Sequence, residues 1–315
     1  MIAHAAACLR RGGLVAFPTE TVYGLGVAAL DVPAVRRLFT AKGRPAEDPL
    51  IVHVAALEAI APLVAARPPL VDTLAARFWP GPLTLVLRRS PLVPDEVTAG
   101  LDTVALRVPA HPVAHALLAA AGIPIAAPSA NLFSRPSPTQ ARHVLEDLDG
   151  RIDMVIDGGA TQVGVESTVL DLSGDVPEVL RPGAVTIDML RSLVPNVRLR
   201  GATQAAGAQR SPGLLSRHYS PRAPLTLYEG PAASVLDRIR KDIEVAEASG
   251  RRVGLLLPDD DAAVMAARLY AALREFDADG VDEIFARLPQ ATDGLSEAIA
   301  DRLRRAAAGR VVSCS

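Results

Sequence analysis

Rings are scarce in this chain: six Phe, four Tyr and one Trp among 315 residues. That is too little aromatic area for a platform on which the bases of a single strand could stack. Cysteine is scarcer still. Cys8 and Cys314 lie near opposite ends, which excludes a disulfide framework or a zinc knuckle and fits a reducing compartment. No charged leader precedes the apolar part of the N-terminal MIAHAAACLRRGG, so no secretory signal is expected. The longest uncharged apolar run, residues 116–128, is too short to span a bilayer and contains Gly122 and Pro124. A formal net charge of −2 supplies no overall attraction to a polyanion, so any basic surface must be local. No Walker A sequence occurs. These absences predict a cytoplasmic protein without membrane contact.

Half of the residues are hydrophobic, mostly Ala, Leu and Val, and the length favours two domains. Short β-rich runs at 14–17, 50–55, 83–88, 103–108, 123–127, 153–157, 168–172 and 178–181 alternate with helical patterns at 3–11, 70–78, 112–121, 139–148 and 186–193. Asp31-Val-Pro33 supplies an N-cap and a first-turn proline for a further helix reaching about Lys42. The pattern predicts an α/β domain over residues 1–200. Residues 201–224 are rich in Gly, Ala, Gln, Ser and Pro and read as a linker. From Met189 to Tyr228 there are six arginines and no acidic residue, a one-sided charge that suggests a nearby anion. In residues 225–315, strands and helices alternate strictly, which predicts a small parallel sheet with helices on its faces.

Two apparent motifs fail on their context. Gly24-Leu-Gly26-Val-Ala-Ala29 fits G-x-G-x-x-A, but the next helix signal comes five residues beyond Gly26 instead of opening at the turn. The glycines read instead as a loop that turns tightly or approaches a ligand. His111 and His115 have the i, i+4 spacing of paired metal ligands, but no glutamate stands between them, and His111-Pro112 reads as a helix start.

Three clusters carry chemistry better. Lys42 and Arg44 flank Gly43 before Pro45, so both cations leave one tight turn. They suit phosphate or carboxylate oxygens, or equally a solvated pair at a helix C-terminus. Pro128-Ser-Ala-Asn131 follows a strand directly, where α/β sites lie, or where an ordinary polar turn would do. Glu166-Ser-Thr168 and Arg181-Pro-Gly183 punctuate two further strands. Together they suggest one cleft for a phosphate-bearing ligand.

These residues resemble a known family. Phe17-Pro-Thr-Glu-Thr-Val-Tyr-Gly-Leu-Gly26, Lys42-Gly-Arg44-Pro, Pro49-Leu-Ile-Val-His53, Ala105-Leu-Arg-Val-Pro109, Pro128-Ser-Ala-Asn131 and Arg181-Pro-Gly183 resemble the YrdC family. Ser211-Pro-Gly213 and Arg217-His-Tyr-Ser-Pro221, followed by a small α/β unit, resemble its long two-domain form. The resemblance implies a twisted, mixed, open sheet around a large cationic cavity, joined to a small Rossmann-like parallel domain. The implied activity forms threonylcarbamoyl-adenylate and pyrophosphate from L-threonine, bicarbonate or CO2, and ATP with Mg2+. A tRNA threonylcarbamoyl transferase complex would take the product, and direct contact with tRNA would be open to it.

By position, the resemblance puts Thr21, His53, Arg107, Ser129 and Thr168 around threonine, with Arg107 on its carboxylate. Lys42, Arg44, Asp48, Thr103, Ser129, Asn131, Thr139 and Arg181 would face the nucleotide and its phosphates. Lys42 and Arg44 would act on the reacting centre, with Tyr219 as a cover and the linker as a lid. No metal ligand among the side chains is implied. Asp48 departs from the family, which often has asparagine there. A carboxylate beside a triphosphate is unfavourable unless it faces Mg2+, a ribose hydroxyl or Arg44. A concave basic surface of this kind could instead accept double-stranded RNA, as a translation-associated module. A carbamoyl transferase of hydrogenase maturation would need zinc-finger and acylphosphatase-like extensions, which are absent.

Overall fold

The computed structural model describes residues 1–201, 218–290 and 294–315. Among these, the first domain is built on strands β1 (Val15–Pro18), β2 (Tyr23–Ala28), β3 (Ile51–His53), β4 (Leu83–Arg88), β5 (Thr103–Arg107), β6 (Ile125–Ala126), β7 (Met154–Val155), β8 (Thr168–Asp171), β9 (Glu178–Arg181) and β10 (Arg198–Leu199). They form one open sheet in the order β10-β9-β8-β4-β5-β3-β6-β2-β1-β7. Parallel pairs such as β3–β5 and β4–β8 mix with antiparallel pairs such as β1–β2 and β4–β5. Layers on both faces bury the strands, which is why β4 reads as an apolar run without alternation.

The helix α1 (Ile2–Arg10) packs Ala5 and Leu9 with Leu117 and Leu118 of α5 (Pro112–Ala121) and with Phe17 of β1. In α2 (Val32–Lys42), the Asp31 carboxylate accepts from the Ala34 amide, and Gly43 ends the helix in the left-handed region at φ +61°. That cap turns the chain sharply after Lys42 and sends Arg44 inward. His111 caps α5 through Nδ1, which accepts from the Val113 amide at 3.2 Å, as the helix-start reading requires.

The expected loop at Gly24–Gly26 is strand β2. A Cβ at Gly26 would lie 2.8 Å from the Phe17 ring and 3.0 Å from Ile125, so the glycine is required by neighbouring side chains within a sheet. The alternation that marks a strand is hidden because β2 is buried throughout.

The second domain has β11 (Leu225–Glu229), α8 (Ala232–Ala248), β12 (Val253–Leu256), α9 (Ala262–Asp279), β13 (Glu283–Arg287), α10 (Gly294–Ala307) and β14 (Val311–Ser313). Its four strands are parallel, in the order β12-β13-β11-β14. Its core is continuous with the first domain: Val22 and Val165 pack in one cluster with Tyr219, Leu269, Tyr270 and Leu303. Gly164, at φ +77°, brings a first-domain loop so close to α9 that a Cβ there would lie 2.3 Å from the Ala266 carbonyl.

Candidate active site

A cleft opens where β2, β3 and β5 meet the loops at 127–129, 166–167 and 218–219. Among the described residues, three arginines line it, Arg44, Arg107 and Arg181, against one carboxylate, Glu166. Thr19, Thr21, Gly24, His53, Ser129, Ser167, His218 and Tyr219 complete its polar wall.

One end is formed by consecutive turns of backbone. Parallel pairing of β3 with β5 sets His53 opposite Arg107. The Arg107 guanidinium donates to the Gly81 carbonyl at 3.2 Å, to the Thr21 hydroxyl at 3.0 Å and to Glu20 at 2.7 Å. Thr21 and Thr19 share a hydroxyl contact of 2.8 Å. His53 is buried with no hydrogen-bond partner for Nδ1. Burial, followed by repulsion from Arg107, pushes its pKa down to about 3, so the ring is neutral at physiological pH. The histidine therefore stands inside the cleft wall.

At the other end Arg44 ion-pairs with Asp48 at 2.8 Å, both side chains buried, and donates to the Asp48 and Pro49 carbonyls. The pair resolves the unusual carboxylate: Asp48 faces Arg44, the partner that offsets its burial. Arg181 donates to the Ser167 carbonyl at 3.0 Å and to its hydroxyl at 3.2 Å, holding its fork beside Glu166. Burial lowers the pKa of both arginines from their ordinary value.

Lys42 is neither solvated nor on the cleft wall. Its Nζ donates to the Ser129 carbonyl at 2.6 Å and to the Asn131 carbonyl, tying the end of α2 to the loop after β6. Burial and the nearby Arg44 lower its pKa well below the usual lysine value. Of the other residues expected here, Thr21, Arg44, His53, Arg107, Ser129, Arg181 and Tyr219 meet at the cleft. Asp48, Thr103, Asn131, Thr139 and Thr168 are buried but do not line it. Thr103 starts β5 and Arg107 ends it, roughly 13 Å apart at the rise of an extended strand. The Thr168 hydroxyl donates to the Val185 carbonyl at 2.6 Å, and the Asn131 amide to the Leu132 and Arg135 carbonyls. Thr139 lies against His143.

Sequence reasoning gave no role to Glu20 or His218, and it placed Glu166 and Ser167 in the suggested cleft only as members of a cluster, without partners. Glu20 sits inside the quoted Phe17–Gly26 motif, but nothing local says that its partner is Arg107, 87 positions away. Glu166 is held by Ser137 at 2.5 Å, Tyr270 at 2.9 Å and Arg302 at 3.0 Å, two of them from the second domain. Despite burial, Arg302 and Arg181 hold its pKa down at about 2. Residues 202–217 of the expected lid lie outside the described residues. Its end does not: His218 and Tyr219 are buried in the cleft. The end of that segment thus forms part of the cleft. Among the described residues there is no cluster of His, Cys, Asp or Glu suited to a metal ion, and no helix long and apolar enough to cross a membrane.

Residues 7–183 match the Sua5–YciO–YrdC family described as telomere recombination, and residues 185–308 match the threonylcarbamoyl-AMP synthase C-terminal domain. The chain is 46% identical to a Bacillus subtilis threonylcarbamoyl-AMP synthase, covering 99% of this chain and 94% of that one. It is 44% identical to the Pyrococcus abyssi threonylcarbamoyl-AMP synthase, over 98% and 94%. The crystal structure of P. abyssi Sua5 complexed with L-threonine superposes with a TM-score of 0.95, at 44% identity, over 99% of this chain and 95% of that one. Shared folds over both sheets and matches along nearly the whole length leave one assignment: the chain belongs to the Sua5–YciO–YrdC family, in the two-domain form that carries the threonylcarbamoyl-AMP synthase C-terminal domain.

Proposed function

We propose that this chain is a threonylcarbamoyl-AMP synthase. It joins L-threonine, bicarbonate or CO2, and ATP into threonylcarbamoyl-adenylate, releasing pyrophosphate. The observation that carries the reading is the convergence of three buried arginines on one cleft with Thr21 and His53. The threonine amine becomes a carbamate, whose oxygen attacks the α-phosphorus while pyrophosphate leaves. Such a displacement needs alignment and charge neutralisation more than a side-chain nucleophile. The cleft has that character. The Ser167 hydroxyl is bonded to Thr84 and Arg181, neither of which is a base that could activate it as a nucleophile.

On this reading Thr21, His53 and Arg107 form the threonine end, and the carboxylate of the amino acid competes with Glu20 for the Arg107 fork. Neutral His53 offers a hydrogen bond without adding repulsion to an incoming ammonium. Arg44 and Arg181 face the phosphates, with Ser129 between the two ends. Lys42 acts behind the wall, fixing the carbonyls of Ser129 and Asn131. The one carboxylate on the cleft is already engaged by Arg302, Tyr270 and Ser137, so the residues present do not make a protein cage for Mg2+. Mg2+ bound to ATP would supply charge neutralisation on the phosphates, beside that of Arg44 and Arg181. The product is passed to a tRNA threonylcarbamoyl transferase complex in the cytoplasm.

The test is to mix the purified chain with ATP, Mg2+, bicarbonate and L-threonine and quantify adenylate and pyrophosphate. Pyrophosphate release that needs both threonine and bicarbonate is expected. No such release, with salt-sensitive RNA binding in its place, would overturn the proposal.

A further inference from the structure

Arg302 heads the largest fully buried side chains of the described residues, and it belongs to the second domain. Its Nε donates to Glu166 across the domain boundary at 3.0 Å, and its Nη1 to Asp301 at 2.8 Å. Its Cζ stands 5.6 Å from the centre of the Tyr219 ring. On α9, Tyr270 makes the same two contacts by other means. Its hydroxyl donates to Glu166 at 2.9 Å, and its ring stacks on Tyr219 at 5.4 Å between centroids and 30° between planes. Two side chains of the second domain thus grip the same two groups, a carboxylate in the cleft wall and the aromatic ring that covers it.

Tyr219 needs that grip. It holds φ at +60°, a left-handed conformation that is unfavourable for a residue other than glycine. Its buried hydroxyl has no hydrogen-bond partner among the described residues. Beside it, His218 stacks edge-on at 4.1 Å, and its Nδ1 is also without a partner among the described residues. The next residue is anchored, since the Ser220 amide donates to the Ser134 carbonyl at 2.7 Å. The covering ring is therefore pinned on one side by backbone and on the other by Arg302 and Tyr270. Surrounding structure must over-determine a conformation of this kind for it to persist.

We propose that Arg302, with Tyr270, is a positioning residue of the second domain that latches Tyr219 over the cleft and so keeps water from the adenylate. The inference rests on the proposed reaction. A mixed carbamic–phosphoric anhydride is labile, and a closed site protects such an intermediate. When the cover is loose, water attacks the α-phosphorus and the carbamate oxygen leaves, giving AMP and threonylcarbamate. The carbamate then loses CO2 and regenerates threonine. The net leak is ATP and water to AMP and pyrophosphate. The domain far from the threonine end thereby sets the yield of the reaction.

The experiment uses the full chain with Arg302→Met, which keeps length and apolar stem but removes the guanidinium. Pyrophosphate and adenylate are quantified together in the first turnovers, and threonine affinity is measured by calorimetry. The wild type should release one pyrophosphate per adenylate, whereas the variant should release an excess of roughly fivefold or more, with threonine affinity within about twofold. A merely structural role would lower both products in proportion and weaken threonine binding with them; either that result or an unchanged ratio overturns the inference. Should Arg302→Met fail to fold, Tyr270→Phe decides the matter. It keeps the ring stack, removes the bond to Glu166, and should raise the same ratio by a smaller factor. A wild type that releases no threonine-dependent pyrophosphate refutes the reaction itself, whereas a productive wild type with an equally well-coupled variant refutes only the latch.

Discussion

The two domains were built by different rules. The second is a regular parallel sheet whose hydrophobic pattern, turns and caps all agree, from Leu225 to Ser313. The first is a mixed sheet whose strands are short, buried on both faces and interrupted by loops that carry charge into the interior. Lys42, Arg44, Arg107 and Arg181 are all buried there, and each is held by carbonyls or carboxylates. Local consistency makes a domain easy to read and stable, while function shows up as departures from it. The second domain departs at three buried residues, Tyr270, Arg274 and Arg302, and all three bond to groups of the first: Glu166 for Tyr270 and Arg302, Asp147 and the Pro136 carbonyl for Arg274.

The sharpest break of this comparison is Arg44→Ala. We expect a loss of at least about two orders of magnitude in adenylate formation, the scale of removing one preorganised charge from a reacting centre. Because Asp48 is left buried without its guanidinium, stability should also fall by about 3–5 kcal/mol, as a urea titration would reveal. Unchanged turnover would remove Arg44 from the phosphate end.

Acid should separate the domains next. Burial pushes His53, His143 and His218 down to about 3, and all six histidines of the chain precede the second domain. A histidine depressed in the fold binds its proton first in the unfolded chain. The stability it contributes is therefore complete above about pH 6.5 and declines as pH falls towards 3. At pH 5 the decline should be of the order of 2 kcal/mol for each shifted histidine. Hydrogen exchange on the full chain should show amides of β3 and α6 (Ala141–Leu148) losing protection between pH 6.5 and 5, while those of β11 and β13 keep theirs. Equal loss in both domains would contradict the assignment.

Gly26→Ala tests the buried strand that sequence reading took for a loop. The new methyl meets Phe17 and Ile125, so we expect a loss of about 1–3 kcal/mol in thermal or urea unfolding. By contrast Gly250→Ala in the second domain has open space, and only its left-handed φ of +77° should cost, about 1 kcal/mol. The smallest effect is expected of Asp48→Asn. An amide oxygen still accepts from Arg44, and Asp48 does not line the cleft, so turnover should stay within about fivefold. A large loss would show that the negative charge itself sets the geometry of Arg44.

How much could be read in advance follows the same division. The Asp31 cap, the Gly43 stop and the His111 start were visible because each is a local bargain between one side chain and nearby amides. Strand β2 was not, because its glycines answer to Phe17 and Ile125 rather than to their neighbours in sequence. Lys42 and Arg44 look alike on paper, two cations around one glycine. Only the fold separates them, sending Arg44 to the cleft wall and Lys42 behind it to the carbonyls of 129 and 131.

The residue order alone determined most of the element types, strand β2 excepted, the second domain's alternation and the set of motifs from which a cleft could be assembled, since periodicity and turn chemistry act over a few residues. Tertiary structure decided which motif residues share that cleft, that Asp48 is neutralised by Arg44, and that Glu166 and Tyr219 are held by Arg302 and Tyr270. Those outcomes rest on strand order, register and domain packing. They join residues far apart in sequence, Arg302 and Glu166 being 136 positions apart, and no local preference along the chain encodes such a distance.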